Sequence, residues 1–113
     1  MTGLLLSTQL MAFSSPPYQP VDWSTSETPA KDAEYAIENE DMRLLGFALR
    51  GYHIPGVKAA DRQLYIDKCG IRVLEGFGDV IRDETQASDM KRASAYAREY
   101  NAAIIARCMP ASP

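Results

Sequence analysis

From Ser88 to Cys108 the chain reads SDMKRASAYAREYNAAIIARC, and Met90, Ala93, Tyr96, Ala97, Tyr100, Ile104 and Cys108 recur at helical spacing. That period gathers them on one face of an α-helix. Ser88 suits the N-cap, with Asp89 in the first turn, where the positive end of the helix dipole favours an acid. Arg107 suits the opposite end, and Pro110 stops the helix. A shorter helical pattern, Ala33, Ala36 and Ile37, begins after Thr28 or Asp32, either of which could cap it. It runs out at Glu38-Asn39-Glu40-Asp41, which has no apolar member.

The middle of the chain has a different rhythm. Met42 to Leu49 reads MRLLGFAL, a nearly continuous apolar run of strand length. Gly46 within it disfavours a helix by about 1 kcal/mol relative to Ala. Gly51, Pro55 and Gly56 then make Arg50 to Val57 a loop. Val57 to Cys69 reads as a helix with Leu64, Tyr65 and Ile66 as its apolar surface. Gly70 predicts a left-handed stop, with Ile71 closing over the last turn. Ile71 to Leu74 is then a strand, and Glu75 to Asp79 a glycine-rich turn. A rival parsing places Ile66, Cys69, Val73, Phe77, Val80 and Ile81 on one face of a continuous helix. Gly70, Gly76 and Gly78 would together cost that helix roughly 3 kcal/mol, which favours the strand.

The expected fold is therefore a small α/β domain in the order α-β-α-β-α. Its two strands form a short parallel pair joined by a right-handed crossover and covered by helices. The alternative is an all-α bundle of three to four helices.

The N-terminal 1–30 read as a separate arm, and 31–113 as the globular domain. Gly3 to Phe13, GLLLSTQLMAF, has the length of a signal-peptide core and is followed by Ser14 and Ser15, but no basic residue precedes it. It is either a signal remnant or an apolar arm, and it is shorter than the ~20 apolar residues of a membrane span. Pro16, Pro17, Pro20 and Pro29 make the following stretch extended or polyproline-like. Tyr18, Val21 and Trp23 have little place in a disordered tail. Trp23 is the expected anchor of this arm, on its own domain or on a partner protein.

Composition narrows the function classes. With 113 residues, 46% of them hydrophobic, the chain can bury one small core. Its net charge of -3 argues against nucleic acid, whose binders carry a basic surplus. Acids between Lys31 and Asp41 and cations between Ser88 and Cys108 read as solvated helix faces in preference to mutual ion pairs. Cys69 and Cys108 match no metal-ligand spacing, and the chain has a single histidine. They are either two buried thiols in a reducing compartment or a disulfide in an oxidising one.

Three stretches carry residues of the types that do chemistry. His53 lies in the loop Arg50-Gly51-Tyr52-His53-Ile54-Pro55-Gly56, but catalysis needs a nucleophile or acid beside it. Gly76-Phe77-Gly78 lacks the third glycine of a dinucleotide fingerprint, so a tight turn is the better reading. Asp79, Asp83 and Glu84 lack the spacing of a calcium loop.

The sequence therefore points to a non-enzymatic protein, inhibitor- or immunity-like, that binds another protein, with export to the periplasm or beyond as the first reading of its location and the cytoplasm as the alternative. No cofactor is expected. The expected binding residues are Tyr18 and Trp23 on the arm, or Tyr52 and His53 on the loop. Two alternatives remain: an accessory subunit whose arm, Leu4 to Trp23, wraps a neighbour, and a small enzyme using His53 with Asp79 or Arg72.

Overall fold

The computed structural model describes residues 17–48, 51–77 and 82–109. Its elements are α1 (Pro29–Glu38), β1 (Leu44–Ala48), β2 (Tyr52–His53), α2 (Arg62–Cys69), β3 (Ile71–Val73) and α3 (Glu84–Cys108). A single 3-10 turn, Ala59–Asp61, leads into α2. The fold is mixed α/β, and the α-β-α-β-α order holds with β2 added. The strands form one sheet, in spatial order β2-β1-β3. β1 and β3 are the expected parallel pair, with Leu44 opposite Ile71, Leu45 opposite Arg72 and Gly46 opposite Val73. The helical-bundle alternative and the continuous helix through Gly70 are both set aside by this pairing.

β1 is buried from Leu44 to Phe47, which explains why its apolar run does not alternate. Gly46 has a second role beyond disfavouring a helix. A Cβ there would stand 2.7 Å from Ile71 Cδ1 and 3.1 Å from the His53 carbonyl oxygen, so the neighbouring strands close in only because it is glycine. Ala33, Ala36, Ala93 and Ala97 join Leu44, Leu45, Phe47, Ile54, Tyr100 and Ile104 in the core. The alanines let α1 and α3 approach closely.

Several boundaries differ from the sequence reading. α3 begins at Glu84, a turn before Ser88, because Asp83 is the N-cap: its Oδ1 accepts from the Gln86 backbone N–H at 2.8 Å. Gln86 Oε1 reaches back to accept from the N–H of Arg82, the residue before the cap, at 2.6 Å, so one helix-end donor and the chain leading into it are secured together. α1 starts at Pro29, whose missing N–H costs nothing at a helix's first position. Thr28 is its N-cap without a side-chain bond, and Asp32 is used elsewhere. α2 is confined to Arg62–Cys69. Gly70 stops it with the positive φ expected of a glycine stop, +86°, but with ψ 171° that sends the chain straight into β3. The loop expected over 50–57 contains β2, which pairs antiparallel with β1 through Phe47–His53 and Ala48–Tyr52. The apolar run Gly3 to Phe13 lies outside the described residues, as do 78–81 with Asp79.

One buried polar side chain ties α3 to the sheet. Leu44 N–H donates to the Gly70 carbonyl and Gly46 C=O accepts from Leu74, so these two residues turn their main chains toward β3. By alternation Leu45 and Phe47 turn theirs toward β2. The ladder would continue from Phe47–His53 to Leu45–Pro55, but Pro55 has no N–H to give. Asn101, fully buried, fills the gap. Its Oδ1 accepts from Leu45 N–H at 2.7 Å, and its Nδ2 donates to the carbonyls of Leu45 and Pro55, both at 2.9 Å.

The C-terminal ends of α2 and α3 meet at the cysteines. Cys69 and Cys108, 39 residues apart in sequence, lie at disulfide distance with Cα atoms 5.6 Å apart.

Candidate functional site

The four candidate binding residues fall into two settings. Tyr18 and Trp23, both half-buried, pack against this chain's own core. The Tyr18 ring lies 5.3 Å from that of Tyr35. Burial raises its pKa first, and the Asp41 carboxylate beside it raises it further. Asp41 in turn accepts from Arg43 Nε at 2.8 Å and Nη2 at 3.1 Å. Those hydrogen bonds hold its own pKa below the usual carboxylate value despite partial burial.

Trp23 stands between Phe77, at 5.7 Å between centroids, and the Arg92 guanidinium, 5.3 Å over its ring. A polar knot secures the same stretch. Asp32 Oδ2 accepts from Ser26 Oγ and from the Tyr96 hydroxyl, both at 2.5 Å, joining the arm to α1 and α3. The Tyr96 pKa rises, chiefly by burial and then by that hydrogen bond. Tyr100, stacked 6.1 Å from Tyr96, is raised by burial as well, with Arg72 opposing.

Tyr52 and His53 form β2, the edge strand, and both are exposed. Tyr52 keeps 43% of its surface open to solvent. His53 lies across the ladder from Phe47, rings 6.2 Å apart and nearly coplanar in orientation at 19°. Phe47 meets Phe77 edge-on at 5.1 Å. The structure therefore links two of the four residues indirectly: Trp23, Phe77, Phe47 and His53 form one aromatic row from the arm to the edge strand. Tyr18 is not part of it.

Both outward carbonyls of β2 and the residue after it are engaged. By the alternation along the ladder, Tyr52 and Ile54 point their main chains away from β1. The Tyr52 carbonyl accepts from Arg62 Nη1 at 2.6 Å, and the Ile54 carbonyl from Val57 N–H at 2.9 Å. With those acceptors engaged, an added strand finds few partners, and the edge offers side chains for recognition. Among the described residues, no hydroxyl, thiol or carboxylate hydrogen-bonds the His53 ring. Arg72 lies near Tyr18, Tyr96 and Tyr100.

Residue-by-residue reading missed the supports of this edge: Asn101, Phe77 and Arg62. Asn101 carried a signal, since it falls on the apolar stripe of α3, four residues after Ala97 and three before Ile104. Nothing in the sequence marks Arg62 as the partner of a carbonyl ten residues earlier.

Comparison of the chain with protein-family models, with curated proteins and with solved structures found no match in any of the three.

Proposed function

We propose that this chain is a small exported protein that acts by binding another protein through the edge strand at Tyr52 and His53. The observation that carries the reading is an exposed Tyr52–His53 pair on a strand that is held from behind. His53 rests on the aromatic row, and Arg62 fixes the Tyr52 carbonyl. Aromatic side chains on a fixed backbone lose little entropy on binding, which is why they concentrate the binding energy of interfaces. Tyr18 and Trp23 are already engaged with their own core, so the proposal does not use the arm as the contact. The cysteine pair supports export, because such bonds persist in oxidising compartments.

Site-specific photocrosslinking tests this. A photoreactive phenylalanine analogue replaces Tyr52 in one sample and Lys91, on the exposed side of α3, in another. The expected result is one reproducible protein adduct from position 52 in the extracytoplasmic fraction and none from position 91. No adduct, or the same adducts from both positions, overturns the proposal.

A further inference from the structure

We propose that the Cys69–Cys108 bond is a redox latch on α2, and that opening it releases the support under Tyr52; the second half rests on the binding role of that edge. α2 has no fully buried residue. Its apolar contacts with the core are the half-buried Tyr65, Ile66 and Cys69. Leu64 points to solvent with 49% of its surface open. Among the described residues, the sheet, α1 and α3, by contrast, hold every buried apolar residue except Ile54 and Pro55, which follow β2, and Leu74, which follows β3. A helix attached this lightly opens at low free energy unless something else restrains it. Its C-terminal end has a main-chain tie, Leu44 N–H to the Gly70 carbonyl, and a covalent one, its last residue being joined to the last residue of α3. Its first residue is Arg62, whose guanidinium holds the Tyr52 carbonyl. One bond at the C-terminal end of α2 therefore keeps the prop at its N-terminal end in place.

The bond is within reach of a reductant. Cys69 and Cys108 are each partly exposed. Cys69 also lines a surface groove of about 590 Å³ with Tyr18, Met42 and Arg43. The co-reactant is a dithiol. Its thiolate attacks Cys69 Sγ, the S–S bond breaks, and Cys108 leaves as a thiolate that takes up a proton. The second thiol of the reductant then attacks the mixed disulfide and frees Cys69. Two electrons and two protons pass to this chain, and the reductant departs as a disulfide. Reoxidation reverses the exchange and relatches α2.

Amide hydrogen exchange on the full chain, read by mass spectrometry, tests the latch without any partner. With dithiothreitol as the dithiol, peptides over Arg62–Cys69 are expected to exchange at least tenfold faster. Peptides over Ala93–Ile104 should stay within about twofold of the oxidised protein. A variant carrying Cys69→Ser and Cys108→Ser should show the same pattern with no reductant. Unchanged protection in α2 overturns the proposal, and so does equal loss over α3, which would make the bond a fastener of the whole domain. The photocrosslinking yield at position 52 should fall severalfold on reduction, and an unchanged yield overturns the link to Tyr52. A missing adduct in both redox states tells against the binding role alone, while the exchange result stands by itself.

Discussion

Asn101 stands in for a backbone amide that Pro55 cannot supply. Its side chain carries three hydrogen bonds in a fully buried position, so removing it strands Leu45 N–H and two carbonyls without water. Unpaired buried groups cost more than the bonds themselves contribute. Asn101→Ala is expected to lower the unfolding free energy by about 3 kcal/mol. Asn101→Asp, which keeps the shape but cannot donate to two carbonyls, should be at least as damaging. Urea denaturation of the purified variants measures both. The need for this residue is written in the sequence only in halves. Pro55 announces a missing donor, and Asn101 interrupts an apolar stripe, but their 46-residue separation hides the pairing. Gly46 is similar. Its cost to a helix was readable, whereas the approach of Ile71 that requires it depends on a register no local pattern encodes.

Among elements, the sequence made legible whatever depends on periodicity: the apolar stripe of α3, the unbroken strand β1, and the alternation of helix and strand that forces a parallel pair. It misled where two signals competed. Ser88-Asp89 looks like a helix start, yet Asp83 with Gln86 three residues later is the reciprocal cap, and it wins because it satisfies two donors at once. β2 was invisible because two residues are too few to show alternation. Within the described part of the arm, Tyr18 and Trp23 pack on the core, as their aromatic character suggests. The arm's docking through Trp23 leads to a contrast between positions. Trp23→Ala should cost about 2 kcal/mol, less than a fully buried aromatic, by freeing Phe77 and Arg92 from their contacts. Tyr52→Ala should stay within about 0.5 kcal/mol of the parent, since that side chain reaches into solvent. Thermal melts of the two variants, read by circular dichroism, separate a structural aromatic from a surface one.

For the molecule as a whole, stability is set by a small core, a cysteine pair and a cluster of protonated tyrosines. In the chain-entropy account, closing a loop of 39 residues contributes about 4 kcal/mol. Burial raises the pKa values of Tyr18, Tyr96 and Tyr100. The folded protein therefore keeps protons that the unfolded chain releases above about pH 10. The stability linked to them is complete below that pH and is lost as pH rises through the folded pKa values. Alkaline titration followed by tyrosinate absorbance should leave three of the six tyrosines un-ionised until far-ultraviolet circular dichroism is lost; absorbance equivalent to all six before the unfolding signal would contradict this. Asp41 acts at the other end: its depressed pKa contributes above the ordinary carboxylate range and fades as pH falls through the folded value.

The reliance of β1 on Asn101 also orders events during synthesis. β1 is made before its parallel neighbour β3, which follows a whole helix later, and the amide that completes its other side comes from α3, 56 residues after Leu45. Until α3 has been made, Leu45 and Pro55 have no route to their native partners. The sheet thus stays short of its final form until α3 is present to lock it.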